Sequence, residues 1–255
     1  MAELGVEKKS KKDKTLIFCQ TGISSIVRQL SRDLLCLLPH CRPEAKYGRE
    51  PLADISEVLD LRNANRCVFL QLKKHRDPYM WISNSPNGPT AKFLIENIET
   101  LDRNFGGNCR IGTRAILSFS QDFDRDPPMK IIKRMLISVF RTPSESRPFD
   151  HIFCFDFVDN RIWFRNYQII NHESQEFREI GPRFTLNPVS IFEGTFRGQI
   201  IYKNPDYVAP SKHFKTAVKQ ATIKNKKRME RRTFNKEKAE TLFRPHDDIN
   251  DVFNS

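Results

Sequence analysis

Residues 151–168 read His-Ile-Phe-Cys-Phe-Asp-Phe-Val-Asp-Asn-Arg-Ile-Trp-Phe-Arg-Asn-Tyr-Gln, and few folds accommodate such a run. Side chains alternate with a period of two on both sides of Asp159-Asn160, a dipeptide whose members both tolerate positive φ and suit a two-residue type I′ turn. That turn sets a register: Phe157 opposite Ile162, Phe155 opposite Phe164, Phe153 opposite Asn166. Phe153, Phe155, Phe157, Ile162 and Phe164 then share one face, which must be core. Cys154, Asp156, Arg161, Trp163, Arg165 and Tyr167 share the other. Arginines among aromatics can stack on unpaired bases and hold phosphate. The same pattern equally fits Trp163 and Tyr167 packed beneath a covering helix, with the arginines at its rim.

Around this hairpin the chain repeats a theme. Thr15–Cys19 is a short apolar strand, followed by a helix capped at Ser24 or Ser25 with Val27, Leu30, Leu34 and Leu37 on one stripe. An amphipathic stretch at about 53–62 leads into strands at 67–72, 79–83 and 91–98. The theme restarts at 115–119, with a helix opened by Asp126 and Pro127 that carries Ile131, Ile132, Met135, Leu136, Val139 and Phe140 on one face. After a Pro/Ser linker come strands at 151–158, 161–169, about 177–186 and 191–202. The expected fold class is α/β: two similar halves, each a strand, a helix and then several strands, at about 15–112 and 113–210. A basic N-terminus (1–14) precedes them. A basic helical tail ending in an acidic segment (211–255) follows.

The net charge of +12 is unevenly placed. Residues 211–238 hold eleven Lys/Arg (Lys212, Lys215, Lys219, Lys224, Lys226, Lys227, Arg228, Arg231, Arg232, Lys236 and Lys238) against Glu230 and Glu237, a local charge of +9. Residues 15–210 carry only +4. A concentrated polycation suits a phosphate polyanion, because each neutralised phosphate releases condensed counterions. The other reading is a solvated tail serving nuclear import, for which 8–12 and 224–228 are short basic patches. The candidate RNA contacts are Lys212, Lys215, Lys219, Lys224, Lys226, Lys227, Arg228, Arg231 and Arg232 in the tail. Arg161, Arg165 and Arg183 are those of the body.

Chemistry beyond binding finds no support in the spacing. Gly107–Arg114 has the glycine spacing of a phosphate-binding loop, but position 113 is Thr where Lys is needed, position 114 is Arg where a magnesium-ligating hydroxyl belongs, and a strand follows instead of a helix. Neither a nucleophile elbow nor a paired-histidine zinc motif occurs. Cys36, His40 and Cys41 lack a Cys-x-x-Cys pair and a second cluster, so the six cysteines read as reduced and structural. No catalytic residue, metal or cofactor is expected. No apolar stretch approaches the length of a bilayer span and no secretory signal is read at the N-terminus, so neither a membrane nor a small-molecule substrate is expected.

Several segments resemble the Brix-domain family of ribosome-assembly factors. They are Thr15-Leu-Ile-Phe-Cys-Gln-Thr-Gly22, Trp81-Ile-Ser-Asn-Ser-Pro-Asn-Gly-Pro-Thr90, Gly107-Asn-Cys-Arg-Ile-Gly112, Asp159-Asn-Arg-Ile-Trp-Phe-Arg-Asn-Tyr-Gln-Ile169 and Ile180-Gly-Pro-Arg-Phe-Thr-Leu-Asn-Pro-Val-Ser-Ile-Phe-Glu-Gly194. The resemblance spans residues 15 to about 210. It implies a two-half α/β fold similar to anticodon-binding domains. It also implies a nucleolar, hence nuclear, factor that binds precursor rRNA of the large subunit early in assembly, beside other assembly factors and a direct protein partner. A protein-interaction module of a nuclear complex, with a tail used only for import, is the alternative. The linker at 141–148 departs from the Lys/Gly-rich character expected of the family.

Overall fold

A computed structural model describes residues 14–48, 50–74, 76–102, 105, 108–142, 148–171 and 176–242. The basic N-terminus up to residue 13, the acidic C-terminal end, the Gly106-Gly107 loop and residues 143–147 of the linker lie outside the described residues. The chain divides into two compact units, Met1–Tyr207 and Val208–Ser255.

In the first unit, β1 (Thr15–Cys19), α1 (Ser25–Leu37), β2 (Cys41–Pro43), a 3₁₀ turn running into α2 (Ile55–Leu61), β3 (Arg66–Lys73), β4 (Asp77–Asn84) and β5 (Thr90–Glu99) make the first half. The second half comprises β6 (Arg114–Phe119), α3 (Pro127–Phe140), β7 (Phe149–Val158), β8 (Arg161–Asn171), β9 (Glu176–Glu179), β10 (Arg183–Phe192) and β11 (Ile200–Lys203). One mixed sheet runs β2-β1-β3-β4-β5-β10-β8-β7-β6, with β11 beside β10 and β9 beside β8. From the junction of β5 with β10 the order reads outward as β5-β4-β3-β1 one way and β10-β8-β7-β6 the other. In both directions the last pair is parallel and bridged by a helix. The two halves are therefore related by an approximate two-fold, joined by eight antiparallel pairs between β5 and β10.

The Asp159-Asn160 turn has φ values of 52° and 56°, and β7 and β8 pair in the register expected from the sequence. Phe153, Phe155, Ile162 and Phe164 are fully buried; Phe157 at the hairpin end is half-buried. Their face belongs to one core with Leu30 and Leu34 of α1 and Leu136 and Phe140 of α3. A smaller core on the opposite face packs Ile55 and Leu59 of α2 against Leu16, Phe18, Phe69 and Trp81. Both cores rest on the period of two: Leu16 and Phe18 point one way, Ile17 and Cys19 the other.

Three local expectations needed revision. Ser24 and Asp126 have extended N-cap backbones, but neither side chain accepts a capping hydrogen bond. The strand expected at about 177–186 breaks at 180–182, where Asn166 Nδ2 donates to Gly181 O at 2.6 Å, and resumes as β10. β10 then runs through Asn187-Pro188, residues that suggest a turn. Pro188 is tolerated because the pairing register slips between it and Ser190, and a bulge is where a missing N–H does least harm. The strand expected at 191–202 is instead two, separated by a turn closed by Glu193 N–H to Gln199 O and Gly194 N–H to Arg197 O.

Candidate nucleic-acid interface

Among the described residues the second unit holds one helix, α4 (Pro210–Thr241), about 48 Å long at 1.5 Å per residue. Pro210 opens it at a position where its missing N–H has no helical partner to lose. All eleven Lys/Arg of 212–238 lie on it and are exposed. Among the described residues none of them is in an ion pair.

At about 100° per residue α4 has two zones. Up to Ala221 the helix is two-sided: Lys212, Lys215 and Lys219 share one face, Phe214, Val218 and Ala221 the opposite one. From Lys224 onward the cations wind around the whole circumference, and the apolar residues Ile223, Met229 and Phe234 are scattered and exposed. Like charges stand four apart at 215/219, 224/228, 227/231, 228/232 and 232/236, each pair opposing the helix by about 0.2–0.5 kcal/mol. Anions that bind there remove this repulsion.

The arginines of the body are placed differently. Arg161 Nε meets Glu96 Oε2 at 2.9 Å, and Arg183 Nη2 meets Glu99 Oε2 at 2.7 Å. Glu179 lies between Arg165 (3.8 Å) and Arg183 (3.6 Å). Three arginines from β8 and β10 thus alternate with three glutamates from β5 and β9. The hydrogen bond from Arg183 to Glu99 raises the arginine's pKa, and burial first, then the Glu179 charge, pushes the Tyr167 phenol up. The Arg165 guanidinium lies 5.2 Å from the Trp163 ring centre. Trp163 and Tyr167 are half-buried and belong to neither core. α1 and α3 pack on the other face, and α2 packs over β1, β3 and β4. A lattice of ion pairs across strands therefore occupies this face. It holds register, and a phosphate would have to displace a carboxylate to bind.

One group of cations escaped the sequence reading. The turn between β3 and β4 carries Lys73, Lys74 and Arg76, all exposed, and Lys92 of β5 lies beside it. Lys92 Nζ is 4.6 Å from the Tyr79 ring centre and 4.8 Å from that of Trp81; Lys73 Nζ is 5.5 Å from Tyr79. The run Lys73-Lys74-His75-Arg76 was the available signal, but nothing in sequence ties it to a lysine sixteen positions beyond its end. His151, at the start of the 151–168 run, is 1% exposed with Thr113 Oγ1 at 3.4 Å from Nδ1. All six cysteines are free, and among the described residues no cluster of His, Cys, Asp or Glu suits a metal ion.

The Brix domain family model matches residues 20–190. The ribosome biogenesis protein BRX1 homolog of Xenopus laevis is 49% identical over 208 residues, which covers 79% of this chain and 61% of that protein. The Homo sapiens protein of the same name is 43% identical over 251 residues, covering 95% of this chain and 70% of that protein. The chain thus spans less than two thirds of the first relative. A crystal structure of a probable ribosomal biogenesis protein from Aeropyrum pernix K1 aligns with a TM-score of 0.49 at 13% identity, covering 69% of this chain and 96% of that one. Over residues 20–190, from just past β1 into β10, this chain belongs to the Brix-domain family.

Proposed function

We propose that the protein is a non-enzymatic RNA-binding scaffold of early large-subunit biogenesis, acting on precursor rRNA in the nucleolus beside other assembly factors and a direct protein partner. The relatives named above are ribosome biogenesis proteins, and the observation that carries the RNA assignment is α4. Eleven cations on one exposed helix meet no carboxylate within 4.0 Å among the described residues, whereas Arg161, Arg165 and Arg183 of the sheet each meet a glutamate. A helix charged around its circumference suits a ligand with phosphates on more than one side, such as a groove or junction of folded RNA. Phosphate contacts of this kind position a protein without reading bases. Lys212, Lys215, Lys219, Lys224, Lys226, Lys227, Arg228, Arg231 and Arg232 supply the contact. Arg161, Arg165 and Arg183 contribute only where RNA displaces their glutamates.

The test is a salt series of binding to a folded precursor-rRNA fragment, comparing the full chain with a variant carrying Lys224, Lys226, Lys227 and Arg228→Gln. If all four touch phosphate, the slope of log K against log salt falls by about 3 to 3.5. An unchanged slope, with nuclear accumulation lost, would leave the arm an import signal and the body a protein-interaction module.

A further inference from the structure

Outside the arm, the turn between β3 and β4 combines two unusual placements. Lys92 stands directly opposite Trp81 in the β4–β5 ladder, on the face where Tyr79 also projects. Both rings are fixed from beneath: Trp81 Nε1 donates to Gln71 Oε1 at 3.2 Å, and the Tyr79 and Tyr207 hydroxyls are 2.9 Å apart. Each ring is 5% exposed, so neither offers a surface for a stacked base. What they offer is a platform that holds the Lys92 ammonium in place by cation–π attraction.

Lys73 reaches over the same Tyr79 ring, close enough for its ammonium to act on that of Lys92. Burial first, and then repulsion from Lys73, lowers the Lys92 pKa to about 8. Among the described residues neither ammonium is in an ion pair. Asp77, opposite Lys73 in the ladder and 9% exposed, is not within 4.0 Å of it. Lys74 and Arg76 extend the positive surface along the turn. Two like charges brought together over a rigid platform, with no carboxylate between them, form a site whose energy falls when an anion bridges them.

We propose that Lys73 and Lys92, flanked by Lys74 and Arg76, form a second phosphate-binding site, on the folded body, that takes the sugar–phosphate backbone of RNA. The proposal rests on the RNA-binding reading above and adds a second anchor to it. A backbone phosphate fits better than an acidic side chain because lysine ammoniums act as point charges and lack the planar fork that matches a carboxylate. Successive phosphates of one strand also match a row of cations along a turn. Two anchors, one on the arm and one on the body, make the second contact intramolecular once the first has formed.

The experiment uses the full chain in four forms: wild type, the arm variant described above, Lys73→Gln with Lys92→Met, and all substitutions together. Methionine at 92 keeps the apolar stem over the rings. Loss of the site lowers the salt slope by about 1.5, at ~0.7–0.9 per phosphate contact, whether or not the arm is neutralised. Carbon NMR of the Lys92 ε-methylene reads the site directly: its titration midpoint moves upward when a short homopolymeric RNA is added to wild type. The proposal is overturned if the slope is the same with and without the site in both backgrounds. It is equally overturned if the midpoint responds to polyglutamate and not to RNA, which would make the turn a protein contact. If only the arm substitutions leave the slope unchanged, the arm assignment fails and the site stands.

Discussion

Replacing Gly88 by alanine tests how the two halves are fastened together. Gly88 ends the β4–β5 hairpin at φ +80°, and a Cβ there would overlap the Glu193 carbonyl oxygen and lie 2.7 Å from Gly194 Cα. The obstacle is backbone, so it cannot swing aside as a side chain would. The turn at 193–197 is also pinned to the hairpin: Thr90 Oγ1 donates to Gly194 O at 2.7 Å, Phe196 N–H donates to Thr90 Oγ1 at 2.9 Å, and Thr195 Oγ1 lies 2.7 Å from Asn84 O and 2.8 Å from Pro86 O. Making room stretches these contacts, at about 1 kcal/mol apiece. The left-handed backbone adds about 1–2 kcal/mol for alanine, partly offset by the less flexible unfolded chain. The expected loss is about 3–5 kcal/mol. Gly22 provides the control, since its φ is +75° with nothing within 4 Å of a Cβ. Gly22→Ala therefore carries only the backbone penalty, about 1 kcal/mol. Urea unfolding, followed by tryptophan fluorescence and far-ultraviolet circular dichroism, gives both midpoints. Equal losses at Gly88 and Gly22 would refute the claim that the approach of the two turns matters.

Three further outcomes follow from the same geometry. Burial lowers the His151 pKa to about 4 from an unfolded value near 6.5, so the unfolded chain takes a proton the folded one refuses as the pH falls through that window. Stability should drop by about 3 kcal/mol between pH 6.5 and 4, and His151→Leu should remove that portion of the pH dependence from urea midpoints. Phe164 has the rings of Phe184, Phe155, Phe153 and Phe140 at 4.5, 5.2, 5.4 and 5.6 Å, so Phe164→Ala should cost about 3–5 kcal/mol, against far less for the half-buried Phe157. Arg183→Gln should cost less than about 1 kcal/mol, as expected for a partly exposed ion pair, and leave the salt slope of RNA binding unchanged. A slope reduced by about 0.7–0.9 would mean that RNA displaces Glu99 and touches Arg183.

The elements with a strong local signal were legible: the type I′ turn at 159–160, the register it imposes on the three pairs 157/162, 155/164 and 153/166, both long crossover helices and the cationic tail. What sequence could not give is the partner across a large separation. Arg161 and Arg183 look like free cations in a string of residues, because Glu96 and Glu99 belong to a strand some sixty to ninety positions earlier. Asp33 likewise falls within an amphipathic helix, yet it is 2% exposed and accepts from Leu101 N–H at 2.9 Å and Gln29 Nε2 at 3.1 Å. Burial pushes its carboxyl upward. Pro188 sits inside β10 because the pairing register slips between it and Ser190, a shift that depends on β5 and has no local mark. The cluster over Tyr79 needed three strands in register before Lys73 and Lys92 could meet.

The pairing of β5 with β10 has a consequence for the nascent chain. Strands emerge from translation in order, and β5 is complete about eighty residues before β10 exists to cover its free side. At typical elongation rates this interval is on the order of ten seconds. Throughout it the first half displays an unpaired row of amides and carbonyls bounded by Phe93, Leu94 and Ile95, a template on which a neighbouring polysome product could add itself. A holdase is therefore most needed during synthesis of residues 100–183, and a stop placed in that stretch should yield insoluble product, whereas a stop after residue 207 should not.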